Sequence, residues 1–330
     1  MTSANPTTTL PSPASPRGRI VRGLRFPLVR IVLAAIVVSI AMNGTRILLK
    51  LLGLAPVRGA PHRLALILLG TVATIAVVHA AYLLYVRYVE GRSATEFAPA
   101  GSVKELGTGM LIGAGIFSAV ILVLVAGGWY SVAGTNPWTA ALAPLLAAAG
   151  AAYVEELIVR GILFRNLEDM LGSWISLAIT ALLFGFAHIA NPNATLTSAI
   201  AIALEAGVLL GAAYMVTQRL WLAIGIHFAW NFVQGGIFGV AVSGNATVGV
   251  LRGELHGPTL LTGGPFGVEG SAVAVVVCLA AAVVLLVIAR RRGHIIAPAW
   301  RRRLTTAEVP QLRATAAFSS ASGAGGGENP

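Results

Sequence analysis

Apolar residues in this chain come in long runs, with the polar residues gathered between them. Runs of about 20 apolar residues suit helices that cross a ~30 Å hydrocarbon layer. Eight such segments are predicted: 26–49, 64–86, 107–128, 139–164, 173–190, 196–216, 220–241 and 270–289. The expected fold is therefore all-α, a polytopic transmembrane helical bundle of about eight spans. No soluble stretch is long enough to stand apart. The expected division is a basic, disordered tail at 1–24, a membrane domain at 25–290 with its motif core at 139–241, and a basic then low-complexity tail at 291–330. The first tail has no short apolar segment followed by a small-residue cleavage site, so no signal peptide is expected.

Only 11% of residues are charged, against about 25% in a soluble domain. The net charge of +11 comes largely from arginines beside the apolar runs. Arg17, Arg19, Arg22 and Arg25 precede the first run, and Arg290–Arg292 and Arg301–Arg303 follow the last. By the positive-inside rule both termini face the cytoplasm. Topology thus accounts for the basic tails, and no nucleic-acid partner is expected. The segment 46–63, with Arg46, Lys50, Arg58 and Arg63, breaks this pattern by falling on the outer side. The single cysteine, Cys278, lies in the last apolar run, which excludes a disulfide framework and a cysteine-metal site.

Candidate chemistry begins in the fourth segment, where Val154-Glu155-Glu156-Leu157-Ile158-Val159-Arg160 interrupts an otherwise apolar run. Ionisable groups in lipid are costly unless paired or facing a wet cavity, so they suggest function. On a helix Glu156 and Arg160 are i and i+4 and can pair. Glu155 points about 100° away from Glu156, free for other work. The fifth segment carries Phe184 and His188, followed by Asn191-Pro192-Asn193, and the seventh carries His227 and Asn231. The bland readings are an interfacial histidine and interhelical glue. Buried polar groups, however, most cheaply partner one another around one hydrated pocket. A glutamate there can take a proton from water, and an asparagine amide can donate to an oxyanion. No serine or cysteine stands beside the histidines as a nucleophile.

Glu155-Glu156-x-x-x-Arg160, Phe184-x-x-x-His188 and His227-x-x-x-Asn231, in order on three apolar segments, resemble the CAAX-protease and bacteriocin-processing (CPBP, or Abi) family of intramembrane proteases. This family includes the type II CAAX prenyl endopeptidases. The resemblance implies an endopeptidase in which Glu155 activates water, Glu156 and Arg160 support it, His188 is the second-motif histidine, and His227 and Asn231 orient water and stabilise the oxyanion. Family members are often called metalloproteases. A catalytic zinc takes three protein ligands. His188 and His227 are the histidines available, and Glu155 as the third would no longer serve readily as base. One divalent metal and none both stay open.

Straight spans would leave His188 and His227 about 10 Å apart in height. A shared pocket therefore requires the fourth and fifth helices to project beyond the cytoplasmic surface, or the fifth to kink. Glu205 is expected to line the cavity or to pair with His79. Glu269 and His256 are expected to be solvated, and 242–266 to be a flexible outer turn. Partners implied are membrane lipid and a peptide or membrane-protein substrate. The Ala-, Arg- and Gly-rich bias suggests a bacterial plasma membrane. The rival readings are a catalytically silent scaffold or bacteriocin-immunity protein of the same fold, and a proton-coupled transporter. The transporter should show inverted halves, which the sequence lacks.

Overall fold

A computed structural model describes residues 26–56 and 62–302. The tail expected at 1–24 and residues 303–330 of the tail expected at 291–330 lie outside the described residues. Helices dominate: α1 (Pro27–Leu51), α2 (Arg63–Tyr85), α3 (Ser102–Ala126), α4 (Leu142–Glu156), α5 (Arg165–Ala187), α6 (Leu196–Ile202), α7 (Val208–Thr217), α8 (Trp221–Phe232), the short α9 (Thr259–Thr262) and α10 (Ala272–Arg291). Among the described residues, six continuous helical stretches are long and apolar enough to cross a membrane. The chain is an all-α membrane bundle.

The difference from eight predicted segments has two causes. Segments four and five merge into one 53-residue stretch, Trp138–Ala190. It turns sharply at Gly172, whose φ of 74° is left-handed. A Cβ there would lie 2.7 Å from the Ile296 carbonyl oxygen, so glycine suits both the angle and the space. The expected loop at 165–172 is thus helical until this break. Segment seven is α8, only 12 residues long and buried on nearly every side. It is the central helix and has no lipid-facing stripe to extend.

Two connections are more ordered than the flexible turn expected at 242–266. β1 (Tyr130–Thr135) and β2 (Leu251–Leu255) pair antiparallel, with Tyr130 opposite Leu255 and a register irregularity between Val132 and Thr135. Tyr130 Oη donates to the Phe238 carbonyl at 2.9 Å, tying this ribbon to the end of the α8 stretch.

α8 lies hard against α3. A Cβ on Gly113 would meet the Ile226 carbonyl oxygen and come within 2.9 Å of the Ile226 Cα. Small residues allow such backbone approach between membrane helices. Since Ile226 precedes His227, this contact fixes the depth and rotation of a candidate site residue.

At the opposite end of the bundle, Glu90, Arg92, Glu96 and Arg165 form a largely buried charge cluster. Arg165 reaches Glu90 at 2.6 Å and Arg92 reaches Glu96 at 2.8 Å. Tyr82 Oη donates to Glu96 and stands 3.2 Å from the Gly161 carbonyl. Each charge has a partner, as burial demands.

Candidate active site

The hairpin at Gly172 brings the motifs level. From Glu155 to Leu171 the helix runs about 24 Å, and from Ser173 to His188 it returns about 22 Å, at 1.5 Å per residue. Glu155, Val159 and Leu163 therefore share a cavity wall with Leu183, Phe184 and His188. The break at Gly172 thus places Glu155 and His188 at one level, at a cavity they share with His227.

Immediately after Glu156 the helix widens into a π-type stretch, Leu157–Phe164. Such insertions re-aim side chains and gather at functional sites. Arg160 is fully buried and donates to Glu156 Oε1 at 2.7 Å. Its other terminal nitrogen donates to the Gly207 carbonyl at 3.0 Å and the Ala206 carbonyl at 3.3 Å. Those carbonyls end a second widened turn, Ala203–Gly207. Arg160 also sits over the Phe184 ring, 4.9 Å from its centroid.

Glu156 Oε1 also meets His227 Nδ1 at 2.9 Å. A carboxylate can only accept, so Nδ1 carries the proton and Nε2 of the neutral ring is an acceptor. Nε2 lies 3.8 Å from Glu155 Oε2. One water with ordinary hydrogen bonds of about 2.8 Å can touch both atoms. Unlike fully buried Glu156, the Glu155 side chain is 37% exposed. His188 is turned by a contact between Nδ1 and the Phe184 carbonyl at 2.7 Å. Nδ1 therefore carries the proton here too, and Nε2 is free for the cavity.

A cavity of about 350 Å³ is lined by Glu155, His188, His227 and Asn231, together with Asn191 and Ser243. The structure thus brings Glu155, Glu156, Arg160, His188, His227 and Asn231 to one place. Four of them face the cavity, and Glu156 and Arg160 stand behind His227.

Some residues at this cavity are not singled out by motif reading. Asn191 Nδ2 donates to the Ser243 carbonyl at 3.1 Å, and Asn193 Nδ2 to the Gly244 carbonyl at 3.3 Å. The Ser243 N–H donates to Glu269. Glu269 is therefore not solvated: it is 2% exposed, and burial pushes its carboxyl up to about 7. Asn191 and Asn193 are visible in sequence three and five residues beyond His188. Ser243 and Glu269 come from a distant loop, and no spacing marks them. Glu205 lines a small adjoining cavity but does not pair with His79, which bonds the Tyr153 hydroxyl at 2.5 Å instead. Glu205 meets the Cys278 thiol, which donates to it at 3.4 Å. His256 stays half exposed, with Ser131 Oγ at 2.8 Å.

Comparison with known families adds a decisive match. Residues 136–233, which hold all three motifs, match the family described as Type II CAAX prenyl endopeptidase Rce1-like. This stretch is similar to the CAAX-protease family. No curated protein and no solved structure matches the chain. The Rce1-like stretch takes in α4 to α8.

Metal binding by this Rce1-like domain can be tested on its donors. Among the described residues, no three His, Cys, Asp or Glu side chains converge as a metal ion would need. His227 Nδ1 donates to Glu156 and His188 Nδ1 to a carbonyl, which leaves both Nε2 atoms able to ligate. With no third ligand converging on them among the described residues, the set does not fit a three-ligand zinc site, and no step below passes through a metal.

Proposed function

We propose that the Rce1-like domain is an intramembrane endopeptidase whose attacking group is water activated by Glu155. The observation that carries this reading is the 3.8 Å approach of Glu155 Oε2 to His227 Nε2 at the wall of a cavity of about 350 Å³. Glu155 takes a proton from that water as its oxygen bonds to the scissile carbonyl carbon. A positioned base of this kind contributes about 10²–10⁴-fold. The carbonyl oxygen becomes an oxyanion, and the Asn231 amide donates to it. The C–N bond then breaks, and Glu155 returns its proton to the leaving nitrogen. His227 Nε2 accepts a hydrogen bond from the water's other proton, and His188 lines the same cavity. Glu156, charge-balanced by Arg160, keeps His227 in the tautomer that leaves Nε2 an acceptor.

The setting is a multi-pass protein of a bacterial plasma membrane, and the substrate is a peptide or membrane protein presented beside the bilayer. The test is cleavage of an apolar or prenylated peptide by purified protein. Glu155→Ala is expected to abolish cleavage while the protein stays folded, and a chelator to leave wild-type cleavage unchanged. Equal cleavage by wild type and Glu155→Ala overturns the role of Glu155, and no cleavage by wild type returns the chain to the silent-scaffold class.

A further inference from the structure

α1, α2 and α4 enclose a second groove of about 710 Å³. Its walls are almost wholly apolar, from Leu146, Ala147 and Gly150 down to Val154 and Ile158 on the α4 side. Glu155 is the one acid among the lining residues. Arg46 and Lys50, i and i+4 on α1, line it from the opposite side. Among the described residues neither has an ion-pair partner. These are two of the cations that break the arginine pattern of the other loops.

We propose that this groove is a site for an anionic phospholipid, with the phosphate on Arg46 and Lys50 and one acyl chain running toward Glu155. Three observations carry it. The first is length: from Gly150, level with Lys50, to Ile158 the wall spans about 12 Å of helix, most of the ~15 Å of a single leaflet's hydrocarbon. The second is level. A Cβ at Gly70 would lie 3.8 Å from Leu49, and one at Gly150 would lie 3.5 Å from Thr71. Lys50 therefore stands beside the upper α4 wall, and both long cationic side chains can snorkel to the interface. The third is the character of the walls. The groove is made of helix faces whose backbone groups are paired internally. A peptide lying there would leave its own N–H and C=O groups unsatisfied, whereas an acyl chain has none to satisfy. Basic residues between membrane helices favour anionic headgroups. The end of the chain reaches Glu155, so a bound lipid shares the lateral approach to the candidate site.

The test is native mass spectrometry of the full-length protein in mixed micelles of phosphatidylglycerol and phosphatidylcholine. Wild type is expected to retain phosphatidylglycerol over phosphatidylcholine by roughly tenfold or more. Arg46→Gln with Lys50→Gln is expected to erase that preference. Both side chains are exposed, so this variant should keep the elution profile and melting temperature of wild type. Gly150→Leu, or Ala151→Leu if the first does not fold, fills the groove with both cations intact and is expected to lower retention of both lipids. Inorganic phosphate at constant ionic strength is expected not to displace the lipid. Equal retention of the two lipids, an unchanged double variant, no effect of groove filling, displacement by phosphate, or a co-purifying peptide in place of lipid would each overturn the proposal.

Discussion

Glu156 and His227, 71 residues apart in sequence, meet with Oε1 2.9 Å from Nδ1, and the same carboxylate oxygen accepts from Arg160. One buried carboxylate thus fixes an imidazole on another helix while its charge is balanced from its own. Breaking such a pair strands a charge and costs about 3–5 kcal/mol, whereas replacing both partners with apolar residues is close to neutral. Arg160→Met is therefore expected to lower stability strongly. Glu156→Leu combined with Arg160→Met should recover most of that loss yet remain inactive. Thermal unfolding in detergent, beside a cleavage assay, reads both effects.

The α3–α8 contact has its own consequence. Gly113→Val places a branched side chain where the Ile226 backbone lies. Overpacking costs about 1–3 kcal/mol, and the strain falls next to His227. Cleavage should drop more than the melting temperature alone would suggest, while Gly115→Val, with nothing within 4 Å, should be mild.

Asn231 is assigned the oxyanion, which exists only after attack. Asn231→Ala should therefore lower kcat by about 10²–10³ and leave KM nearly unchanged. A rise in KM at constant kcat would instead make Asn231 a ground-state binding group.

Glu269 offers a pH test. Its folded carboxyl titrates near 7 because burial disfavours the charge, against about 4.3 in an unfolded chain. The folded state holds this proton more tightly. Its contribution to stability is thus full below about pH 4.3 and is lost as pH rises through 7, a change of about 4 kcal/mol. Wild type should lose stability between pH 5 and pH 8, and Glu269→Gln should lose less. Unfolding curves at the two pH values measure the difference.

The helical class was legible because long apolar runs have few other solutions in lipid. The site motifs were legible because ionisable residues stand out against such a background. Three features were not. The level of His188 depends on Gly172, and a single glycine in a polar stretch reads as a loop rather than as a hairpin between stacked helices. α8 looked like a longer span because burial by protein and burial by lipid select the same apolar residues. The order of 242–270 depends on β2 pairing with a strand 120 residues earlier and on Glu269 capturing the Ser243 N–H. Neither leaves a local periodic signal.

The most direct test is a single-turnover cleavage in ¹⁸O-labelled water, with mass spectrometry of both peptide product and enzyme. If Glu155 activates water, the first turnover places ¹⁸O in the new carboxylate of the product and none in the protein. Label in the Glu155 carboxyl, with an unlabelled first product, would mean that Glu155 attacks the substrate itself, and would contradict the account.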